Sequence, residues 1–135
     1  MKPNICIVIS NYYPDVSKNL LIGATKELLK KKIRKYKIIY APGIFEIPVI
    51  ISKKIKSFDA FIALGCVIKG ETPHFNYISE STINAIMYLS IKSKKPIGNG
   101  ILTCLNKKQA IVRANPLIKN KGGEASKAIF SVLGF

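Results

Sequence analysis

Apolar residues along this chain fall into short solid runs that alternate with helical stripes. Residues 4–10 are mostly isoleucine and valine with Cys6 among them, which predicts a short buried strand. Residues 17–33 carry Leu20, Leu21, Ala24, Leu28 and Ile33 at roughly helical spacing, and a second strand is predicted over 36–41. After Pro42-Gly43, residues 47–55 predict a helix with Pro48 in its first turn, where proline is tolerated. A third strand, 60–67, is nearly all apolar; residues 77–91 then place Ile78, Thr82, Ala85, Ile86 and Leu89 on one helical face. A fourth strand over 96–103 and a short helix over 106–114 follow. Beyond Gly122-Gly123, a last helix over 124–133 has Ala125, Ala128, Ile129 and Val132 on one face. Strands that are apolar along their length and alternate with helices imply a parallel sheet covered on both sides. The expected architecture is an α/β three-layer sandwich around a four-stranded parallel sheet.

The 135 residues, without repeat, linker or low-complexity tract, suit one domain over residues 1–135. At 48% hydrophobic residues the chain is not a disordered tail, and no apolar run reaches the ~18 residues of a membrane span. The apolar part of residues 1–9 is short and no small-residue cleavage site follows, so it reads as a first strand and not as a signal peptide. Cys6, Cys66 and Cys104 are far apart, odd in number and without zinc-ligand spacing; they suit reduced thiols in a cytoplasmic protein.

The net charge of +15 raises a nucleic-acid reading. Its distribution argues against one. The lysines crowd residues 26–37, 53–56 and 92–95, the last turns of three predicted helices and the turns after them, where cations complement the helix dipole and solvate the ends.

In parallel sheets ligands bind beyond the carboxyl ends of the strands. That directs attention to residues 11–14, 42–46 and 66–75 and to the loop after the fourth strand. In the third of these, Gly70 lets a backbone approach a ligand, Thr72 offers a hydroxyl, and the following helix start exposes free N–H groups suited to an anion. His74, the only histidine, adds a group able to move a proton near neutral pH. Taken alone it reads first as a surface or capping residue; its position in this loop turns the reading toward proton transfer. Phe45 could wall a flat ring and Glu46 accept from a ligand hydroxyl or amine; the plain alternative is a tight connection with Phe45 in the core. Tyr12 or Tyr13 could stack on a planar ligand or pack within the loop. Arg113 is a candidate bidentate phosphate clamp or a surface cation. Neither a Gly-x-x-x-x-Gly-Lys loop nor a Gly-x-Gly-x-x-Gly fingerprint is present.

Several stretches together resemble the lumazine synthase family. They are Leu20-Leu21-Ile22-Gly23-Ala24, Pro42-Gly43-Ile44-Phe45-Glu46-Ile47-Pro48, Ala63-Leu64-Gly65-Cys66-Val67-Ile68-Lys69-Gly70-Glu71-Thr72-Pro73-His74-Phe75, Gly100-Ile101-Leu102-Thr103, Gln109-Ala110 with Arg113-Ala114, and Asn120-Lys121-Gly122. They occur in family order over nearly the whole chain. The resemblance implies a flavodoxin-like fold and a cytoplasmic transferase of riboflavin biosynthesis. Such an enzyme condenses 5-amino-6-(D-ribitylamino)uracil with L-3,4-dihydroxy-2-butanone 4-phosphate, releasing phosphate and water, with no metal or organic cofactor.

It also implies residue roles. His74 resembles the acid–base residue, and Glu71 and Thr72 the phosphate loop, with Arg113 as clamp. Tyr12, Ile44, Phe45, Glu46, Cys66, Val67 and Ile68 resemble the pocket for the ribitylaminouracil, and Lys121 and Glu124 match residues near the ribityl chain and phosphate. In the family the site lies between neighbouring subunits of a homopentamer, so Asn99, Arg113 and Lys121 are expected to serve the site whose His74 belongs to the next chain. Further implied partners are other pentamers, in a sixty-subunit shell, and riboflavin synthase; neither nucleic acid nor membrane is implied. The chain departs from the family at Asn11-Tyr12-Tyr13, where Arg-Phe-Asn is common, and at Asn99, where many members carry an aromatic. It also begins close to its first strand, which favours a bare pentamer without deciding against the shell. These departures leave one rival within the family, a relative that binds a lumazine or flavin without turnover. A flavin electron carrier on the same fold would leave Glu71-Thr72-Pro73-His74 without a purpose.

Overall fold

The computed structural model describes residues 1–70 and 72–135. Four strands form one wholly parallel sheet in the order β2-β1-β3-β4. They are β1 (Ile5–Ser10), β2 (Lys37–Ala41), β3 (Ala60–Ile68) and β4 (Ile97–Cys104). Five helices connect and cover them: α1 (Pro14–Lys30), α2 (Ile47–Lys54), α3 (His74–Ser93), α4 (Lys107–Ala114) and α5 (Lys121–Leu133), with a 3₁₀ turn, Ile44–Glu46, leading into α2. The expected three-layer sandwich is therefore the one observed.

Strand alternation divides the core in two. Ile5, Ile7 and Ile9 face Leu20, Ala24 and Leu28 of α1, Ala110 and Ala114 of α4, and Ala125 and Ile129 of α5. Cys6 and Val8 face the opposite way, toward Ile47 and Ile51 of α2 and Ile86 of α3. β1 and β3 lie in the middle, with every residue of β1 buried, whereas edge strand β2 is partly open. This is why the 4–10 and 60–67 runs show no polar alternation: both faces of a central parallel strand are covered.

Three helix starts differ from expectation. α1 begins at Pro14, not 17, because proline takes the N1 position and Asp15 complements the positive end of the dipole. α3 begins at His74, not 77, placing the histidine in the first turn. α5 begins at Lys121, so Gly122-Gly123 lie inside its first turn instead of ahead of it. The reason is tertiary: a Cβ on Gly122 would run into the backbone of Leu20, so glycine lets α5 cross α1 closely. The buried stripe of α5 is accordingly Gly122, Ala125, Ser126, Ile129 and Phe130, while Ala128 and Val132, expected on that face, are exposed.

Candidate active site

The carboxyl ends of β1, β2 and β3 open into a cavity of about 380 Å³. Ser10, Tyr12 and Tyr13 line it from the end of β1 and the loop beyond; Gly43, Ile44 and Phe45 come from the turn after β2. Cys66, Val67 and Ile68 come from the end of β3, and His74 and Ile78 from the first turns of α3. The cavity lies at the strand carboxyl ends, where each crossover leaves its loop and where ligands gather in parallel sheets.

Two exposed aromatic rings border the cavity. Tyr12 is 73% exposed and Phe45 63% exposed, though both border the cavity. Large aromatics left open at a concave site leave their π-faces free for stacking. Tyr12 is held by an edge-to-face contact with Tyr13, ring centroids 5.0 Å apart. Phe45 is therefore not in the core, as the plain alternative for it would have had it.

His74 is exposed at the start of α3, and its backbone N–H donates to Thr72 Oγ1 at 3.4 Å. Pro73 precedes the helix without a side-chain cap, and its carbonyl accepts from the Asn76 N–H at 3.1 Å. Glu71, assigned to the same loop, lies outside the described residues.

The thiol of Cys66 is pushed up to about 12, chiefly by burial and further by the neighbouring Cys104. It is a neutral wall at physiological pH, not a nucleophile. Burial likewise raises the Tyr13 phenol, whose ring lies under Lys107 Nζ at 5.3 Å from its centroid. Lys107 also bonds Asp15 at 3.3 Å, which lowers the Asp15 carboxyl below its ordinary range. His74 lines the same cavity, and histidine is a residue type that can carry a proton in catalysis.

Several expected residues do not line this cavity, Thr72 among them. Glu46 sits on the far side of Phe45, in an adjoining recess of about 330 Å³ with Pro48, Val49, Ser81, Thr82 and Ala85. Asn99 projects from edge strand β4, its Oδ1 accepting from the Ile101 N–H at 3.1 Å. Arg113 Nη1 donates to the Gln109 carbonyl at 3.4 Å, and Lys121 pairs with Glu124 at 2.9 Å.

Sequence reasoning also missed a residue. Ser10 is 2% exposed, lines the cavity, and its Oγ has no hydrogen-bond partner among the described residues. The available signal was a lone hydroxyl ending an apolar strand at the ligand-binding edge.

The profile of the 6,7-dimethyl-8-ribityllumazine synthase family matches residues 2–134 of this chain. The chain belongs to that family. Among curated relatives, the 6,7-dimethyl-8-ribityllumazine synthase of Bartonella tribocorum is 42% identical over 98% of this chain and 89% of its own length. That of Bartonella bacilliformis is 40% identical over 98% and 90%, and that of Buchnera aphidicola 41% over 93% and 82%. Family membership gives the strand-end cavity its context, since the His74 loop, the Phe45 turn and the Cys66 strand end meet there.

Proposed function

We propose that this chain is a 6,7-dimethyl-8-ribityllumazine synthase, joining 5-amino-6-(D-ribitylamino)uracil to L-3,4-dihydroxy-2-butanone 4-phosphate in riboflavin biosynthesis. The observation that carries this reading is the juxtaposition of exposed Tyr12 and Phe45 rings with His74 on the uncapped first turn of α3. One half suits a flat pyrimidine; the other suits a phosphate beside a proton carrier.

In this scheme the pyrimidine stacks at Tyr12 and Phe45 against walls of Ile44, Cys66, Val67 and Ile68. Glu46, beyond Phe45, accepts from the ribityl chain. Thr72 and Glu71, at the positive end of the α3 dipole, hold the phosphate. The 5-amino nitrogen attacks the ketone carbonyl, and loss of water leaves an imine. His74 removes the proton whose departure expels phosphate, and the ribityl-bearing nitrogen then closes the ring with loss of a second water. Holding two reactants in register is worth up to roughly 7–11 kcal/mol, so positioning supplies much of the rate.

Asn99, Arg113 and Lys121 lie away from the cavity of their own chain, which supports a site completed by a neighbouring subunit in a pentamer. Three free cysteines fit a reducing cytoplasm, where we place the enzyme; among the described residues no helix is long and apolar enough to cross a membrane.

The test is to mix purified protein with both substrates and follow the lumazine product. Turnover above the uncatalysed reaction is expected, with His74→Ala slower by about 10²–10⁴-fold, the usual weight of a proton-transfer residue. No product from folded wild type would overturn the assignment in favour of a lumazine- or flavin-binding relative. A His74→Ala rate within a factor of about two of wild type would remove the proton-transfer role.

A further inference from the structure

Two of the three cysteines lie on one face of the sheet beside the cavity. In the β3–β4 register Cys66 lies opposite Leu102 and Cys104 opposite Ile68, so the cysteines are diagonal neighbours on one sheet face. Both side chains belong to the same buried cluster on that face. Cys66 lines the cavity, while Cys104 is fully buried behind it in the cluster with Ala110 and Ala114 of α4. Cys6 belongs to the cluster on the opposite face.

We propose that Cys66 and Cys104 form a two-thiolate site for a soft monovalent cation of the Cu(I) class. Diagonal positions on neighbouring strands hold Cα atoms about 7–8 Å apart, beyond the roughly 4.4–6.8 Å of a disulfide. The pair therefore resists closing on itself, whereas an ion set between the two sulfurs would join them without a direct S–S bond. Among the described residues no group of three or more His, Cys, Asp or Glu side chains gathers anywhere, so the pair lacks the ligands of a tetrahedral zinc site. Two sulfur donors without a third suit Cu(I), which thiolates select by softness.

The charge balances. Two thiols and Cu(I) give a bis-thiolate complex of net charge −1 and release two protons to solvent. The negative complex lies in the field of Arg113, which acts on Cys104, and of Lys107, which acts on Cys66 and is itself paired with Asp15. The cavity supplies the way in, by ligand exchange at the Cys66 sulfur. The inference rests on the strand register and the cluster, not on the synthase activity.

The experiment uses the reduced protein under anaerobic conditions, with Cu(I) presented as its bicinchoninate complex. Wild type and Cys6→Ser are expected to withdraw one Cu(I) per chain from the chelator, and Cys66→Ser and Cys104→Ser none. Failure of wild type to withdraw copper, or retention by either of the last two variants, overturns the proposal. Because serine at a buried position can unfold the chain, copper K-edge absorption on loaded wild type gives an independent reading. A shell of two sulfurs upholds the site; a nitrogen ligand, as His74 would supply, overturns it.

Discussion

Ile44 occupies the space that a side chain at Gly65 would need. A Cβ built on Gly65 meets Ile44 Cδ1, and Ser10 Cβ at 3.3 Å. Ser10 is fixed on central strand β1, whereas Ile44 Cδ1 is the end of a flexible side chain, so Ile44 is the one that yields. Ile44 lines the cavity, and a shift there alters its wall. Gly65→Ala is expected to lower stability by about 1 kcal/mol, as modest overpacking does. KM for the pyrimidine substrate should rise about tenfold, equivalent to about 1.4 kcal/mol, with kcat changed less. Steady-state kinetics beside urea unfolding measures both; an unaltered KM would detach Ile44 from the ligand.

Asn120 ties α5 to α1. It has φ 46°, and its Oδ1 accepts from the Gly123 N–H at 3.2 Å while packing into the notch left by Gly23. Asn120→Ala removes the cap, at about 0.5–2 kcal/mol, and puts a non-glycine side chain without a local hydrogen bond into left-handed backbone, at about 1–2 kcal/mol. Asn120→Gly loses the cap but keeps the backbone relaxed. The expected order of urea midpoints is wild type, then glycine, then alanine; an alanine variant more stable than the glycine one contradicts the account.

These two positions also mark what the sequence could and could not disclose. Solid apolar runs exposed the central strands because burial on both faces leaves no polar alternation, and the loops at 42–46 and 66–75 followed from sheet topology. Gly122-Gly123 misled, because a glycine pair signals a loop unless one knows that another helix backbone, at Leu20, presses on it. Ser10 escaped for a similar reason: its burial depends on Ile44 and the strand ends closing over it, a long-range arrangement. Arg113, Asn99 and Lys121 carry plausible ligand chemistry, yet one chain does not bring them to His74.

Buried thiols should make the fold sensitive to alkali. Burial pushes Cys6 up to about 11, partly offset by Lys54 and Lys37, and Cys66 up to about 12, from an ordinary value of 9.0. As pH rises past 9 the unfolded chain sheds thiol protons that the folded chain retains, so the folded state binds more protons and stability falls. The contribution is whole below pH 9 and is lost as pH rises through the folded values. For Cys6 the loss between pH 9 and 10 is about 1 kcal/mol. Urea unfolding under reductant should show wild type losing that much more than Cys6→Ala over this interval. Parallel slopes would mean that the Cys6 proton is not held by the fold.

The positions of His74 and Arg113 permit a test of the shared site that needs no structure of the assembly. Arg113 leans on its own helix, bonding the Gln109 carbonyl, and does not line the cavity that holds His74. If each site takes His74 from one chain and Arg113 from the next, His74→Ala and Arg113→Ala assemblies each lack one half of every site. Unfolding the two variants together and refolding them as mixed rings places an intact His74 against an intact Arg113 at about a quarter of the interfaces. Activity should then recover to about a quarter of wild type, while the same proteins mixed without subunit exchange stay at the parental level. Recovery depends on two chains meeting, so dilution below the assembly threshold should abolish it. Mixed rings verified by mass spectrometry that remain at the parental level would place Arg113 and His74 in the same chain's site, and the pentameric arrangement would lose its catalytic rationale.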